Sequence, residues 1–177
     1  MKTQQRVIDQ LKKDLSSKDD QIIIKTLVKI RDKGNEQMVD PLIELYKNTL
    51  NPVIKENVKS IFSELKNTQT IDFLLPYLLS EDNEVNELIL HGLWSSGMDV
   101  ADHIPAIVEC ACKGSFMVIL EALTLIENLE GPFIEEDLFN ASASLQEHIH
   151  ENKEGKEKDL LQSMYGIIQE FENQIET

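Results

Sequence analysis

Residues 71–78 read IDFLLPYL, an apolar run that carries a single carboxylate, Asp72, in a chain with ample polar segments to hold it. The same arrangement occurs three more times: VIDQLKKDL at 7–15 around Asp9, VDPLIELY at 39–46 around Asp40, and ADHIPAIV at 101–108 around Asp102. The steps from Asp9 to Asp40, Asp72 and Asp102 are 31, 32 and 30 residues. Two positions after each aspartate stands an aliphatic residue (Leu11, Leu42, Leu74, Ile104), and six after it a second large apolar one (Leu15, Tyr46, Leu78, Val108). That spacing marks one face of a helix, and its recurrence at a fixed period marks a repeat architecture.

A second pattern follows each of the four segments: QIIIKTLVKI, NPVIKENVKSIF, DNEVNELILHGLW and SFMVILEALTLI. With Ile22, Val53, Val85 and Val118 as equivalent markers, the position five later is Leu27, Val58, Leu90 and Leu123. The position eight later is Ile30, Ile61, Leu93 and Ile126. Each unit is therefore a pair of helices. Turn chemistry agrees, with Gly34, Gly97 and Gly131 after a second helix, Asn51-Pro52 as cap and first-turn proline, and Asp82 and Ser115 as further caps. No strand pattern of any length is present, so the fold is expected to be entirely helical. Asp72 then falls in the opening turns of a first helix, where free backbone amides and the positive end of the dipole favour a carboxylate.

Beyond Gly131 the pattern loosens. PFIEEDLFNASASLQEHIHEN reads as a first helix and KEKDLLQSMYGIIQEF as a second, joined by the charged connection ENKEGKEK. Residues 132–177 are thus expected to be an atypical terminal unit that closes the end of a stack with a polar outer face. Residues 1–177 would form one domain.

These paired helices, with an aliphatic spine and units of about thirty-one residues, resemble the HEAT repeat family, in particular the short HEAT-like or phycobilisome-lyase-type repeats. The segment DNEVNELILHGLW is most similar to a family second helix, with Asp82 opening the turn, Val85 at the usual valine and small Gly92 where helices come close. The resemblance covers residues 4–131 well and 132–174 loosely. It implies a right-handed α-α superhelix, a HEAT-like solenoid of about five helical pairs, acting as a protein-binding scaffold. Family members commonly carry an arginine just after that valine, where this chain has Ile23, Ile54, Asn86 and Ile119. The resulting expectation is that contacts between units are more apolar here.

Composition bounds the function. The 177 residues hold 17 Lys and Arg against 32 Asp and Glu, for a formal charge of −15. Residues 1–88 carry 13 basic and 15 acidic side chains, a net of −2, and residues 89–177 carry 4 and 17, a net of −13. Such a field repels nucleic acid and anionic membrane; it could steer a basic protein partner, or serve only solubility. The first twenty residues hold no apolar stretch of signal-peptide length, and no run reaches the ~20 residues of a membrane span, so a cytoplasmic location is expected. Cys110 and Cys112, two apart in a helical pattern, diverge and are expected to be reduced structural thiols.

Motifs for chemistry are sparse. None of the glycines makes a phosphate-binding loop, His148 and His150 are two apart and diverge on a helix, and SEDNEV lacks the glycine and terminal glutamate of a calcium loop. No catalytic residue, cofactor or metal ligand is nominated. Nine positions after each marker stand Arg31, Phe62, Trp94 and Glu127, and six after it Val28, Lys59, His91 and Thr124. An aromatic pair flanked by charges could anchor a partner segment; alternatively Phe62 and Trp94 fill the space between adjacent helices. The expected partner-binding residues are Trp94, Phe62, His91, Lys59 and Arg31, on the concave second-helix face of a non-catalytic adaptor. The other readings are a HEAT-like lyase, a DNA glycosylase-type enzyme, which the charge disfavours, and a subunit of a homo-oligomer.

Overall fold

The structure, a computed structural model, describes residues 2–151 and 155–175, and side chains over 4–150 and 155–175. The helices are α1 (Lys2–Leu15), α2 (Asp20–Lys33), α3 (Val39–Asn48), α4 (Pro52–Ser63), α5 (Ile71–Leu78), α6 (Asn83–Ser96), α7 (Ile104–Lys113), α8 (Phe116–Glu127), α9 (Glu135–Glu151) and α10 (Lys156–Ile175). No strand occurs among the described residues. The charged connection expected between the last two helices falls partly on residues 152–154, outside the described residues.

Local chemistry sets most boundaries. Asp19, Asn51 and Asp82 cap α2, α4 and α6, accepting from the amides of Gln21, Val53 and Val85 at 2.9, 2.9 and 3.3 Å. Ser115 precedes α8 without capping it through its side chain. Its own amide instead donates to Asn83 Oδ1 at 2.8 Å, tying one unit's turn to the next. Of the three glycines expected to end helices, only Gly97 does so in the left-handed conformation, at φ 68°. Gly34 caps α2 in extended backbone, and Gly131 lies three residues beyond the Asn128 cap of α8.

Three short 3-10 turns, Glu36–Met38, Thr68–Thr70 and Ala101–His103, precede α3, α5 and α7. Their own caps, Asn35, Asn67 and Asp99, recur every 32 residues and accept from the amides of Gln37, Gln69 and Ala101. The recurrent aspartates therefore divide. Asp40 and Asp72 lie in the first turns of α3 and α5, as expected, whereas Asp102 sits in a 3-10 turn and Asp9 lies inside α1, which begins seven residues earlier at Lys2. Asp40 also works between units, since its Oδ1 accepts from Tyr77 Oη at 2.8 Å. Burial and that hydrogen bond push the Tyr77 phenol up to about 12.

Packing follows chain order. The even-numbered helices meet in sequence, α2 with α4, α4 with α6, α6 with α8 and α8 with α10. The odd-numbered ones do the same from α1 to α9, and each helix also packs on its partner within the pair. One cluster of buried apolar residues runs through them from Ile8 to Phe171. The aliphatic rows read from the repeat are inside it: Leu27, Val58, Leu90 and Leu123, then Ile30, Ile61, Leu93 and Ile126, are all buried. So are Leu11, Leu42, Leu74 and Ile104 on the odd helices.

The marker row itself departs from the expected register. Val85 and Val118 are buried, but Ile22 and Val53 are exposed, and the position one later is the one buried in every unit: Ile23, Ile54, Asn86 and Ile119. Asn86 is the polar member of that row. Its amide donates to the Ser80 carbonyl at 3.0 Å, which answers the requirement that a buried amide be paired. Polar links also cross between units at the surface, among them Arg31–Glu64, Lys55–Glu84 and Lys47–Asp82. An exposed pair contributes ~0–1 kcal/mol, against ~1.5–3 kcal/mol for each fully buried Leu or Val. The apolar rows therefore dominate the cohesion between units.

Candidate functional site

Two surfaces are made by the even-numbered helices: the face six positions after each marker, and the ends where these helices stop. On the first, Val28 is exposed while Lys59, His91 and Thr124 are half-buried, so consecutive helices offer a mixed, mostly polar row. The row nine positions after each marker behaves differently. It lies only about 40° around the helix from the buried row at five, and about 60° from the row at six. Three of its four members face the next even-numbered helix or its end, and Glu127 is exposed. Arg31 pairs with Glu64 beyond α4, Phe62 meets Gly92 of α6, and Trp94 meets Glu121 of α8.

This removes Phe62 from the expected binding set. It is 1% exposed, and a Cβ placed on Gly92 would lie 2.9 Å from its own Cβ, so the ring is sealed by the close approach of α4 and α6. Trp94 is half-buried and packs against the core with part of its ring. The aromatic pair expected on one surface is thus split, one member inside and one at an edge.

Around Trp94 the helices build a small polar cluster. The indole Nε1 donates to Glu121 Oε2, and the His91 ring stands edge-on to the indole, with centroids 5.0 Å apart at 81°. His91 Nδ1 is buried, 3.4 Å from the same carboxylate oxygen but outside hydrogen-bond geometry. The Glu121 side chain is 15% exposed, and its hydrogen bond ties the indole to the α6–α8 seam. Lys59 and Arg31 belong to other helices; Arg31 is engaged with Glu64, which also accepts from Ser60 Oγ at 3.1 Å. The five expected residues therefore do not converge on one point.

Glu121 went unrecognised at the level of sequence, because its position three after Val118 carries Lys25, Glu56 and Leu88 in the other units and shows no pattern. The grooves at the helix ends went unrecognised too. One of about 330 Å³ lies where α2 and α4 stop, lined by Arg31, Met38, Glu64 and Lys66 among others. Another of about 370 Å³ lies where α6 and α8 stop, lined by Trp94, Met98, Asp99, Leu129 and Glu130 among others.

Other candidate chemistry is accounted for. Cys110 and Cys112 are buried and unbridged on α7, and burial pushes the Cys110 thiol up to about 12, far from a reactive thiolate. Among the described residues no group of three or more His, Cys, Asp or Glu is placed to hold a metal ion, and no helix is long and apolar enough to cross a membrane. No family model, curated protein or solved structure matches the chain.

Proposed function

We propose that this protein is a non-catalytic adaptor of the HEAT-like kind: a single right-handed α-α superhelix that binds a protein partner on the concave face of its even-numbered helices. The observation that carries the reading is the packing order. Successive even-numbered helices meet from α2 to α10, which supports an extended face formed by the positions of Val28, Lys59, His91 and Thr124. A stack of this kind buries apolar surface only between neighbours and leaves a long continuous surface for recognition. The net charge of −13 over residues 89–177 favours a partner with a basic surface and disfavours DNA.

Photocrosslinking tests this. A photoreactive residue placed at Lys59 or Thr124 should join the protein to a different chain in its native cell, while one at exposed Phe73 on α5 should not. Equal yields from both faces, or adducts only with further copies of the same chain, would count against the adaptor and, in the second case, favour a homo-oligomer.

A further inference from the structure

The two grooves at the even-helix ends occupy the same place in the repeat but are built from different chemistry. Arg31, at the end of α2, has Trp94 as its counterpart in α6; Glu64, after α4, has Leu129 after α8; and Lys66 has Gly131. The first groove thus carries its own cations, with the Arg31 guanidinium seated on the Glu64 carboxylate. The second has none among its lining residues.

What the second groove has instead is unanswered negative charge over an apolar floor. Asp99 and Glu130 line it, and among the described residues neither forms an ion pair. The last turns of α6 and α8 hold no basic side chain, whereas that of α2 holds Arg31 and Lys33. The negative ends of two helix dipoles therefore add to the field of the carboxylates. Between residues 89 and 152 the only lysine or arginine is Lys113. Leu93, Leu125 and Leu129 form the floor, and the Trp94 indole at the edge is tied to Glu121.

We propose that this groove receives an arginine-bearing segment of a partner protein. The guanidinium would take the place that Arg31 fills in the first groove: its charge between Asp99 and Glu130, its flat face against the Trp94 indole, and an adjoining apolar side chain over the leucines. Arginine suits the site better than lysine, because a planar guanidinium can both stack on an indole and pair with a carboxylate in a forked geometry. This assignment rests on the adaptor reading and specifies its partner.

Trp94 is the chain's only tryptophan, so its emission reports on the groove directly. A dye-labelled synthetic peptide of alternating arginine and leucine should bind saturably by anisotropy and shift the Trp94 emission over the same concentration range. The doubly neutral variant D99N/E130Q keeps a capping side chain at residue 99 and should bind at least tenfold more weakly; E36Q, in the first groove, should bind as the parent does. The assignment is overturned if a glutamate–leucine peptide binds equally well, if D99N/E130Q binds unchanged, or if anisotropy rises with no change at Trp94. Self-association that competes with the peptide would overturn the assignment to a separate partner. A crosslinked partner on the even-helix face together with no peptide binding would sink this inference and leave the adaptor standing; peptide binding without any crosslinked partner would uphold the groove's preference for arginine and overturn the adaptor reading on which its assignment to a partner protein rests.

Discussion

Gly92 of α6 lies against Phe62 of α4 so closely that a methyl group on the glycine would stand 2.9 Å from the phenylalanine Cβ and 3.3 Å from its carbonyl oxygen. Glycine inside a helix ordinarily costs about 1 kcal/mol relative to alanine. Here that cost is accepted because the two helices approach at this point, and the contact on the α4 side is with main chain as well as side chain. The ring of Phe62, fully buried, occupies the seam that this approach closes.

Replacing Gly92 with alanine should therefore destabilise the protein in spite of the gain in helix propensity. Backbone atoms cannot swing aside as a side-chain tip can, so the helices must separate, at a cost of about 1–3 kcal/mol. Urea unfolding followed by far-ultraviolet dichroism would measure it. Phe62→Ala should cost more, about 3–5 kcal/mol, by leaving a cavity in the same seam. A neutral or stabilising Gly92→Ala would show that α4 and α6 do not meet as described.

The pair Lys47–Asp82, at 3.0 Å, links α3 to the cap of α6 and should leave a signature in pH. Burial raises the Asp82 pKa, but the Lys47 ammonium and the Val85 amide outweigh it and hold the carboxyl below its ordinary value of 3.8. A folded value below the unfolded one means stability that is present above the unfolded pKa and lost as pH falls through the folded one. Lys47 has a raised value, so its share is present below its ordinary 10.5 and is lost only as pH rises past that raised value. Other carboxylates respond to acid as well, and with a charge of −15 their protonation also relieves repulsion, so the comparison must be with Asp82→Asn. Asparagine preserves the cap and removes the charge. The difference in unfolding free energy should be at most about 1 kcal/mol at neutral pH and should vanish in strong acid. A difference independent of pH would exclude the ion pair as its source.

The two thiols should be silent in the folded protein. Cys110 and Cys112 are buried on α7, and a thiol held near pKa 12 presents almost no thiolate at neutral pH. Titration with a chromogenic disulfide should show no fast-reacting thiol in the native state and two after denaturation. A rapid reaction without denaturant would mean that α7 opens locally or packs less tightly than its contacts indicate.

How far the sequence carried the fold can be seen at single positions. Leu27, Val58, Leu90 and Leu123 are buried as the spacing predicts, because helical periodicity fixes each residue's direction around its own axis and the core lies on the side where the apolar residues recur. The helical pairs and most of their capping residues follow from equally local chemistry. Ser115 shows where local signals stop short: it has the right identity for a cap, but Asn83 of the preceding unit binds its amide.

The candidate site was much less legible. Arg31, Phe62 and Trp94 do form a row, yet sequence spacing alone cannot tell whether the flank of a helix meets water or its neighbour. That depends on the lateral offset and closeness of successive helices, which small residues such as Gly92 permit and which only the assembled structure displays. The pairing of Trp94 with Glu121, and the contrast between two otherwise equivalent grooves, arise from helices 27 and more residues apart brought side by side. Sequence by itself determined that paired helices bury regular apolar rows; tertiary packing decided which of the remaining side chains stayed accessible, because accessibility belongs to the space between helices and to no helix alone.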